Sequence, residues 1–360
     1  MDERVIGGTK YLTWLGAAAA VTFVAAWLYV AFFSMAFMDA EYARWTAKLH
    51  ILEACDVPPS VLVGDSRPAV NVMPRELGTD RIINLALAGT TSLETFVVVR
   101  KMMECPVRPR RVFISLVPSH FPRPDTFWSK SARYRFLNFT DLRELIASSR
   151  SVSDMSVVDS EGGERIPALL RAAAYGLGLP PVYFNSLFTG AIAGRYTENS
   201  AIYRDVRANR GQYFFQTTYA ANVIGPDARL SRFSALPIID HYFERTIELL
   251  GKSAIEVYFL PMPLNATTER NMSPTVARDF ATYLAEKQSR HGNFRVLGPL
   301  IWGVPDRFFN DPLQHFNRSG ATEYSRRLAA CKVLDVDAAS FAATDACLRM
   351  NLGAWSREGG

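Results

Sequence analysis

The chain has 360 residues, enough for one large buried core or for one core with a sizeable insertion. Its 40 Lys and Arg residues are scattered among 35 Asp and Glu for a formal charge of +5, and no basic stripe is interleaved with aromatics, which sets nucleic acid aside as a partner. Some of the basic side chains remain available to anionic lipid.

Residues 11–38, YLTWLGAAAAVTFVAAWLYVAFFSMAFM, carry no charge over a length beyond the roughly 20 residues that cross a bilayer as helix. Trp14, Trp27 and Tyr29 add aromatics favoured in membranes. A cleaved signal peptide competes through the small-x-small pattern at Ser34 and Ala36, but its apolar region should run to only about 7–15 residues. The expectation is one uncleaved transmembrane anchor behind an N-terminal tail, residues 1–10. Its orientation stays open, because Arg4 and Lys10 before the span are balanced by Arg44 and Lys48 after it. Residues 39–57 predict a helical stalk.

From residue 58 onward, short apolar runs alternate with helical patterns. VLVGDSRPAV, residues 61–70, reads as a buried parallel strand that stops at Gly-Asp-Ser. Gly64 permits a tight turn there, and Asp65 or Ser66 is available to cap a helix beginning near Pro68. IINLAL at 82–87, a helix from about Ser92 to Met103, and RVFISLV at 111–117 follow. The rhythm resumes with the helical IIDHYFERTIELLGKS at 238–253 and the strands IEVYFLPMP at 255–263 and FRVLG at 294–298. Such alternation predicts an α/β domain over 58–335, a parallel sheet with helices on its faces. Residues 120–235 interrupt it without strand rhythm and predict a mainly helical insertion. Within it the apolar stretch 166–194 is broken by Arg171, Gly176, Gly178 and Pro180-Pro181, which argues against a second span. The insertion reads as an ordinary packed subdomain, as a cap over a site, or as a surface for lipid or a membrane partner. Residues 336–360 predict a C-terminal tail.

Cys55 and Cys105 each precede a strand, whereas Cys331 and Cys347 flank a short C-terminal segment. Of the three pairings that four cysteines allow, Cys55 with Cys105 and Cys331 with Cys347 is the one proposed, and it suits an oxidising compartment. Four unpaired buried thiols are the alternative. No CxxC or Cys/His cluster points to a metal, and no cofactor is expected.

The stretch NDPLQHFNRSGATEYSRRLAA, residues 310–330, ends as a helix with Ala321, Tyr324, Leu328 and Ala329 on one face and Asn317 or Ser319 as cap. Asp311 and His315 lie in the loop before it. An imidazole that takes a proton from a serine needs such a carboxylate to hold its tautomer and stabilise its charged form. A loop that follows a strand lies at the sheet's carboxyl edge, where Ser66 also falls and where open α/β sheets bind ligands. The plainer readings are that His315 is a satisfied loop histidine, that Ser66 only caps, and that Gly89 serves only a tight turn. His50, His120, His241 and His291 lack a comparable setting, and Asn84 reads as a structural hydrogen-bonding group. GTTSLET, residues 89–95, lacks the lysine of a phosphate-binding loop.

Taken together, Gly64-Asp65-Ser66 after the first strand, the glycine of NLALAGTTS after the second, and Asp311 and His315 followed by FNRSGA resemble the SGNH (GDSL-type) hydrolase superfamily. The N-terminal span, the large insertion, the VYFLPMP strand and the HFNRSGATEYSRRLA ending are similar to membrane-anchored bacterial members. Those work beside membrane-bound O-acyltransferases, as in the alginate-acetylation and D-alanylation partner proteins. The resemblance covers residues 58 to about 330, in a few short blocks. It implies a three-layer, flavodoxin-like sheet, with Ser66 as nucleophile, His315 as general base and Asp311 as the orienting acid. It implies that the Ser66 and Gly89 amides face the oxyanion. Two departures stand out. Asp311 and His315 are one residue further apart than the family's usual spacing, which leaves Asp306 or a Ser-His dyad open. The asparagine that normally completes the oxyanion hole is missing after VFISLVP, where Ser119 and His120 are the next polar groups.

The resemblance implies an O-acyltransferase that carries a small acyl group, acetyl first among them, on Ser66 to a cell-envelope or secreted polysaccharide. It implies a bacterial inner-membrane, single-pass protein with its domain in the periplasm, served by a multi-span O-acyltransferase that brings acyl groups across the bilayer. Residues 166–194 are then a docking face. An anchored carbohydrate esterase, or a catalytically degenerate glycan-binding or assembly subunit, are the alternatives.

Overall fold

The computed structural model describes residues 3–78, 80–123, 126–162, 165–215 and 219–357. The chain opens with α1 (Glu3–Phe32), α2 (Ser34–Phe37) and α3 (Ala40–Glu53). Next come β1 (Ser60–Gly64), α4 (Ser66–Asn71), α5 (Pro74–Leu77), β2 (Ile82–Asn84), α6 (Ser92–Met103) and β3 (Arg111–Ser115). The insertion carries α7 (Phe139–Ser151), α8 (Ala168–Gly176), α9 (Phe184–Ala193) and α10 (Arg195–Ala208). The sheet is rejoined through α11 (Pro237–Gly251), β4 (Glu256–Phe259), β5 (Leu264–Asn265), α12 (Ala266–Arg270), α13 (Pro274–Arg290), β6 (Phe294–Val296) and β7 (Gly303–Val304). Helices α14 (Arg318–Ala330) and α15 (Phe341–Arg357) complete the domain.

Five parallel strands run in the order β2-β1-β3-β4-β6, and β5 pairs with β7 in a separate parallel ribbon. Successive strand residues point to opposite faces, and both faces are covered. Val61, Val63, Val112, Ile114, Val257 and Phe259 join the core beneath α6, α11 and α13. Leu62, Phe113 and Tyr258 join the core on the other side with Tyr324 and Leu328 of α14 and Leu352 and Trp355 of α15. The result is a three-layer α/β/α arrangement. Helix α6 starts where Thr91 and Glu94 cap each other's backbone, a device contributing roughly 1 kcal/mol.

From β1 the chain moves outward to β2, then crosses back to β3 on the other side. The strand order therefore reverses beside β1, which opens a crevice at the carboxyl ends of β1 and β3. Gly64 ends β1 there at φ +140°, paired with Ser115. A Cβ on it would stand 1.8 Å from the Ser115 carbonyl oxygen, so only glycine lets the two strand ends meet this closely.

Several boundaries differ from those the sequence predicts. The uncharged stretch 11–38 is not one helix: Phe33 leaves helical geometry, and α2 turns into the domain, where Phe37 and Met38 are buried. The part long and apolar enough to cross a membrane is Gly8–Phe32. The expected stalk is packed, with Trp45, Ala47 and Lys48 of α3 buried and α10 lying along it. The expected C-terminal tail is also packed: Leu348, Leu352 and Trp355 of α15 are buried against Trp302, Phe308 and Phe316. On α14, Asn317 is the cap, and Ser325 rather than Ala329 shares the buried face with Ala321, Tyr324 and Leu328. Disulfides join Cys55 to Cys105 and Cys331 to Cys347.

Candidate active site

The turn after β1 resolves which residue caps the next helix. Asp65 does, its Oδ1 accepting from the Arg67 amide at 2.9 Å while its Oδ2 accepts from the Val117 amide at 2.9 Å beyond β3. This fully buried carboxylate ties the two strand ends together. Ser66 is thereby relieved of capping and begins α4 with its hydroxyl directed elsewhere.

That hydroxyl meets His315. Ser66 Oγ lies 2.8 Å from Nε2, and Nδ1 lies 2.7 Å from Asp311 Oδ2. A carboxylate only accepts, so Nδ1 carries a proton, and in the neutral form of the ring it is the Nε2 lone pair that faces the serine. Asp311 Oδ1 also accepts from the Leu313 amide at 2.8 Å and the His315 amide at 3.3 Å, so the carboxylate folds its own loop while orienting the ring. Both Asp311 and His315 are buried. Between them Gln314 sits at backbone φ +72°, and a bridge between Phe309 and Phe316 closes the loop. Asp306 is engaged elsewhere, accepting from the Thr267 amide at 3.0 Å and its hydroxyl at 2.7 Å. It is therefore not the acid of this relay.

Helix α4 holds the loop from the other side. Asn71 donates to the Gln314 carbonyl at 3.2 Å and accepts from the Phe316 amide at 2.8 Å, gripping the residues on either side of His315. Arg67 Nε donates to the Leu313 carbonyl at 3.1 Å, and its guanidinium forms a buried ion pair with Asp227 of the insertion. Burial alone pushes the Asp227 carboxyl up, but Arg67 outweighs it, and with the Ser119 amide at 2.9 Å holds the group below its usual range. One short helix thus presents the serine and fixes both the histidine loop and the insertion.

The hydroxyl and imidazole line a cavity of about 310 Å³ with Glu41, Arg67, Ala88, Gly89, Lys130 and Phe215. The Phe215 ring packs on His315, centroids 4.6 Å apart. Gly89 turns into it at φ +73°. Among the described residues, the Ser66 and Gly89 amides donate to no protein acceptor. A second cavity of about 200 Å³ shares Gly89, His120, Thr126, Pro226 and Leu313 with the first and adds Thr91, Ser119 and Arg123.

Ser119 and His120 part company. Ser119 is committed through its amide to Asp227 and lines only the second cavity. His120 lines both, with Nδ1 3.0 Å from the Thr90 carbonyl, which must accept, and 3.4 Å from Asp65 Oδ2. Its Nε2 has no hydrogen-bond partner among the described residues. Asn84 is the structural group expected, donating to the Pro68 and Val72 carbonyls at 2.7 and 3.0 Å. Glu41, Arg67, Asn71, Phe215 and Asp227 are the residues sequence reasoning passed over. A buried charge needs a partner, so an arginine within the short apolar helix that Ser66 begins signals that one exists without naming it.

Among the described residues, no three His, Cys, Asp or Glu side chains converge as a metal-binding group. No protein-family model, curated protein or solved structure matches the chain. The arrangement itself offers an oxygen nucleophile, a proton acceptor with its orienting carboxylate and, among the described residues, two unpaired amides beside a cleft lined by both apolar and charged side chains. Such a set is competent for acyl transfer.

Proposed function

We propose that the chain is a membrane-anchored, serine-dependent O-acyltransferase of the SGNH type, and that its acceptor is a hydroxyl of a cell-envelope or secreted polysaccharide. The observation that carries the reading is the Ser66–His315–Asp311 relay at the carboxyl edge of a parallel sheet, beside two unpaired amides.

In the first half-reaction His315 Nε2 takes the Ser66 proton as Oγ attacks the carbonyl of an acyl donor. The Ser66 and Gly89 amides receive the charge that develops on the carbonyl oxygen. Collapse breaks the bond to the donor, which leaves with the proton from His315, and Ser66 holds the acyl group as an ester. In the second half-reaction His315 takes the proton of an acceptor hydroxyl, whose oxygen attacks the ester. The product ester departs and the Ser66 hydroxyl regains the proton.

Two features suit transfer to a sugar hydroxyl. Phe215, Leu313, Pro226 and Ala88 give the cleft an apolar part against which an acyl group can rest. The adjoining cavity offers room for an acceptor beside the acyl group. The multi-span partner follows from the same reading: acyl donors made in the cytoplasm must reach a periplasmic serine, and one span supplies no path.

The experiment is to load the full chain with a small acyl ester and follow acyl release with and without polysaccharide. Transfer predicts that polysaccharide accelerates turnover and becomes esterified. Turnover indifferent to polysaccharide would leave an anchored esterase, and no acyl-enzyme at Ser66 would leave a glycan-binding or assembly subunit.

A further inference from the structure

The span and the insertion meet at a level that places part of the insertion in the membrane. Trp27 Nε1 donates to the Leu177 carbonyl at 2.8 Å. Trp27 lies five residues before α1 ends at Phe32, which at 1.5 Å per residue is about 7–8 Å below the end of the apolar helix. The turn after α8 therefore sits beside the span itself rather than above it.

Polar bonds make that junction rigid. Arg135 Nη2 donates to the Val30 carbonyl and to Ser34 Oγ, both at 2.7 Å, satisfying acceptors at the end of α1. Asn199 donates to the Met35 and Met38 carbonyls at 2.9 Å, and Arg195 to the Phe37 carbonyl at 3.2 Å. Gly190 of α9 lies so close that a Cβ would stand 2.4 Å from Phe37 Cα. The domain is clamped to its anchor.

The surface beside this clamp is apolar. Residues 172–194 contain no Asp, Glu, Lys, Arg or His, and the arginines at either end turn inward, Arg171 over the Trp128 ring and Arg195 onto α2. Leu170, Leu177, Phe184 and Phe188 are 63, 57, 74 and 66% exposed. A helical pair with such a face and no exposed charge belongs at the boundary of headgroups and acyl chains.

We infer that α8, α9 and the turn between them are embedded in the leaflet through which α1 emerges, so that the domain is held to the membrane at two places. Lipid is the occupant because the face is continuous with α1: any bilayer surrounding Trp27 also reaches Leu177, one hydrogen bond away. This rests on α1 crossing a bilayer and not on the acyl-transfer reading. The embedded arm sets the orientation of the Ser66 cleft above the membrane.

The test uses the full chain in nanodiscs of mixed zwitterionic and anionic phospholipid. Nitroxide-labelled cysteines replace Leu170 and Phe188, both exposed, so folding is not at stake in either. Leu15→Cys in the span and Met350→Cys, 72% exposed on α15, are the references. Relaxation of the label by oxygen, which concentrates in lipid, is compared with relaxation by a water-soluble nickel chelate. Labels at 170 and 188 should favour oxygen several-fold, as at 15, with the reverse at 350. Nickel access at 170 and 188 equal to that at 350 overturns the inference. So does exclusion of both agents, which would mean that a second copy of the chain covers the face.

Discussion

Ser66 Oγ and His315 Nε2 stand 2.8 Å apart across 249 positions of sequence. They are brought together by α4, which carries the serine at its first residue and Asn71, the clamp on the histidine loop, at its last. The relay joins the first turn of α4 to a loop that the same helix holds by hydrogen bonds.

Ser66→Ala and His315→Ala should each abolish labelling by a fluorophosphonate probe and lower acyl transfer by about 10⁴-fold or more. The double variant should lose little beyond either single one, because the two groups act as a unit. Additive losses, or a labelled Ser66→Ala chain, would place the nucleophile elsewhere.

Asp311 and Asp306 are separated by their partners. Asp311→Asn should cost about 10⁴-fold in kcat by freeing the imidazole to adopt the wrong tautomer. Asp306→Asn disturbs only its bonds from the Thr267 amide and hydroxyl and should stay within a few-fold of wild type. Steady-state rates on a chromogenic acyl ester distinguish the two, and equal losses would contradict the geometry.

His120 lines both cavities, and its Nε2 has no hydrogen-bond partner among the described residues. Its Nδ1 is committed to the Thr90 carbonyl, so Nε2 donates to an oxyanion only from the doubly protonated ring; with that ring as donor, His120→Ala should lower kcat by about 10²–10³-fold with KM little changed. His120→Asn should recover part of that loss, since a carboxamide N–H donates without having to gain a proton. A defect confined to KM would make His120 a substrate-binding group instead.

The Arg67–Asp227 pair predicts acid sensitivity. Asp227 is held below its usual carboxylate value in the fold, so between the two values the unfolded chain binds more protons. Its contribution is complete above about pH 4 and is lost as pH falls through the lowered value. At pH 7, Asp227→Asn should destabilise the chain by about 3–5 kcal/mol, because it leaves Arg67 buried without a countercharge. Thermal unfolding from pH 3 to 7 should show the gap between wild type and variant narrowing toward acid. A gap constant with pH would mean that the pair carries none of the acid dependence.

The strands were legible because a parallel sheet covered on both faces demands short continuous apolar runs, and Val61–Val63 and Val112–Ile114 have that pattern. Ser66, Gly89, Asp311 and His315 were legible because their chemistry is local: a glycine turn after a strand, and a carboxylate near an imidazole. The helix over the stalk was legible, but the packing of α3 and α15 was not, because the elements that bury them lie far away in sequence. Lys48, counted only in the charge balance beside the span, is buried with its Nζ donating to the Ala86 carbonyl and over the Tyr213 ring, and desolvation pushes its amine well below the usual range.

By itself the sequence determined the apolar span, the α/β rhythm and the residue types of the relay, since periodicity, uncharged length and short spacing are properties of neighbouring positions. Only the tertiary structure decided that Asp65 rather than Ser66 caps α4, that Asp311 rather than Asp306 faces His315, and that Arg67 finds Asp227. Those choices depend on which distant groups share a buried corner. There each donor and charge must be satisfied within a few ångströms, and sequence separation carries no record of that distance.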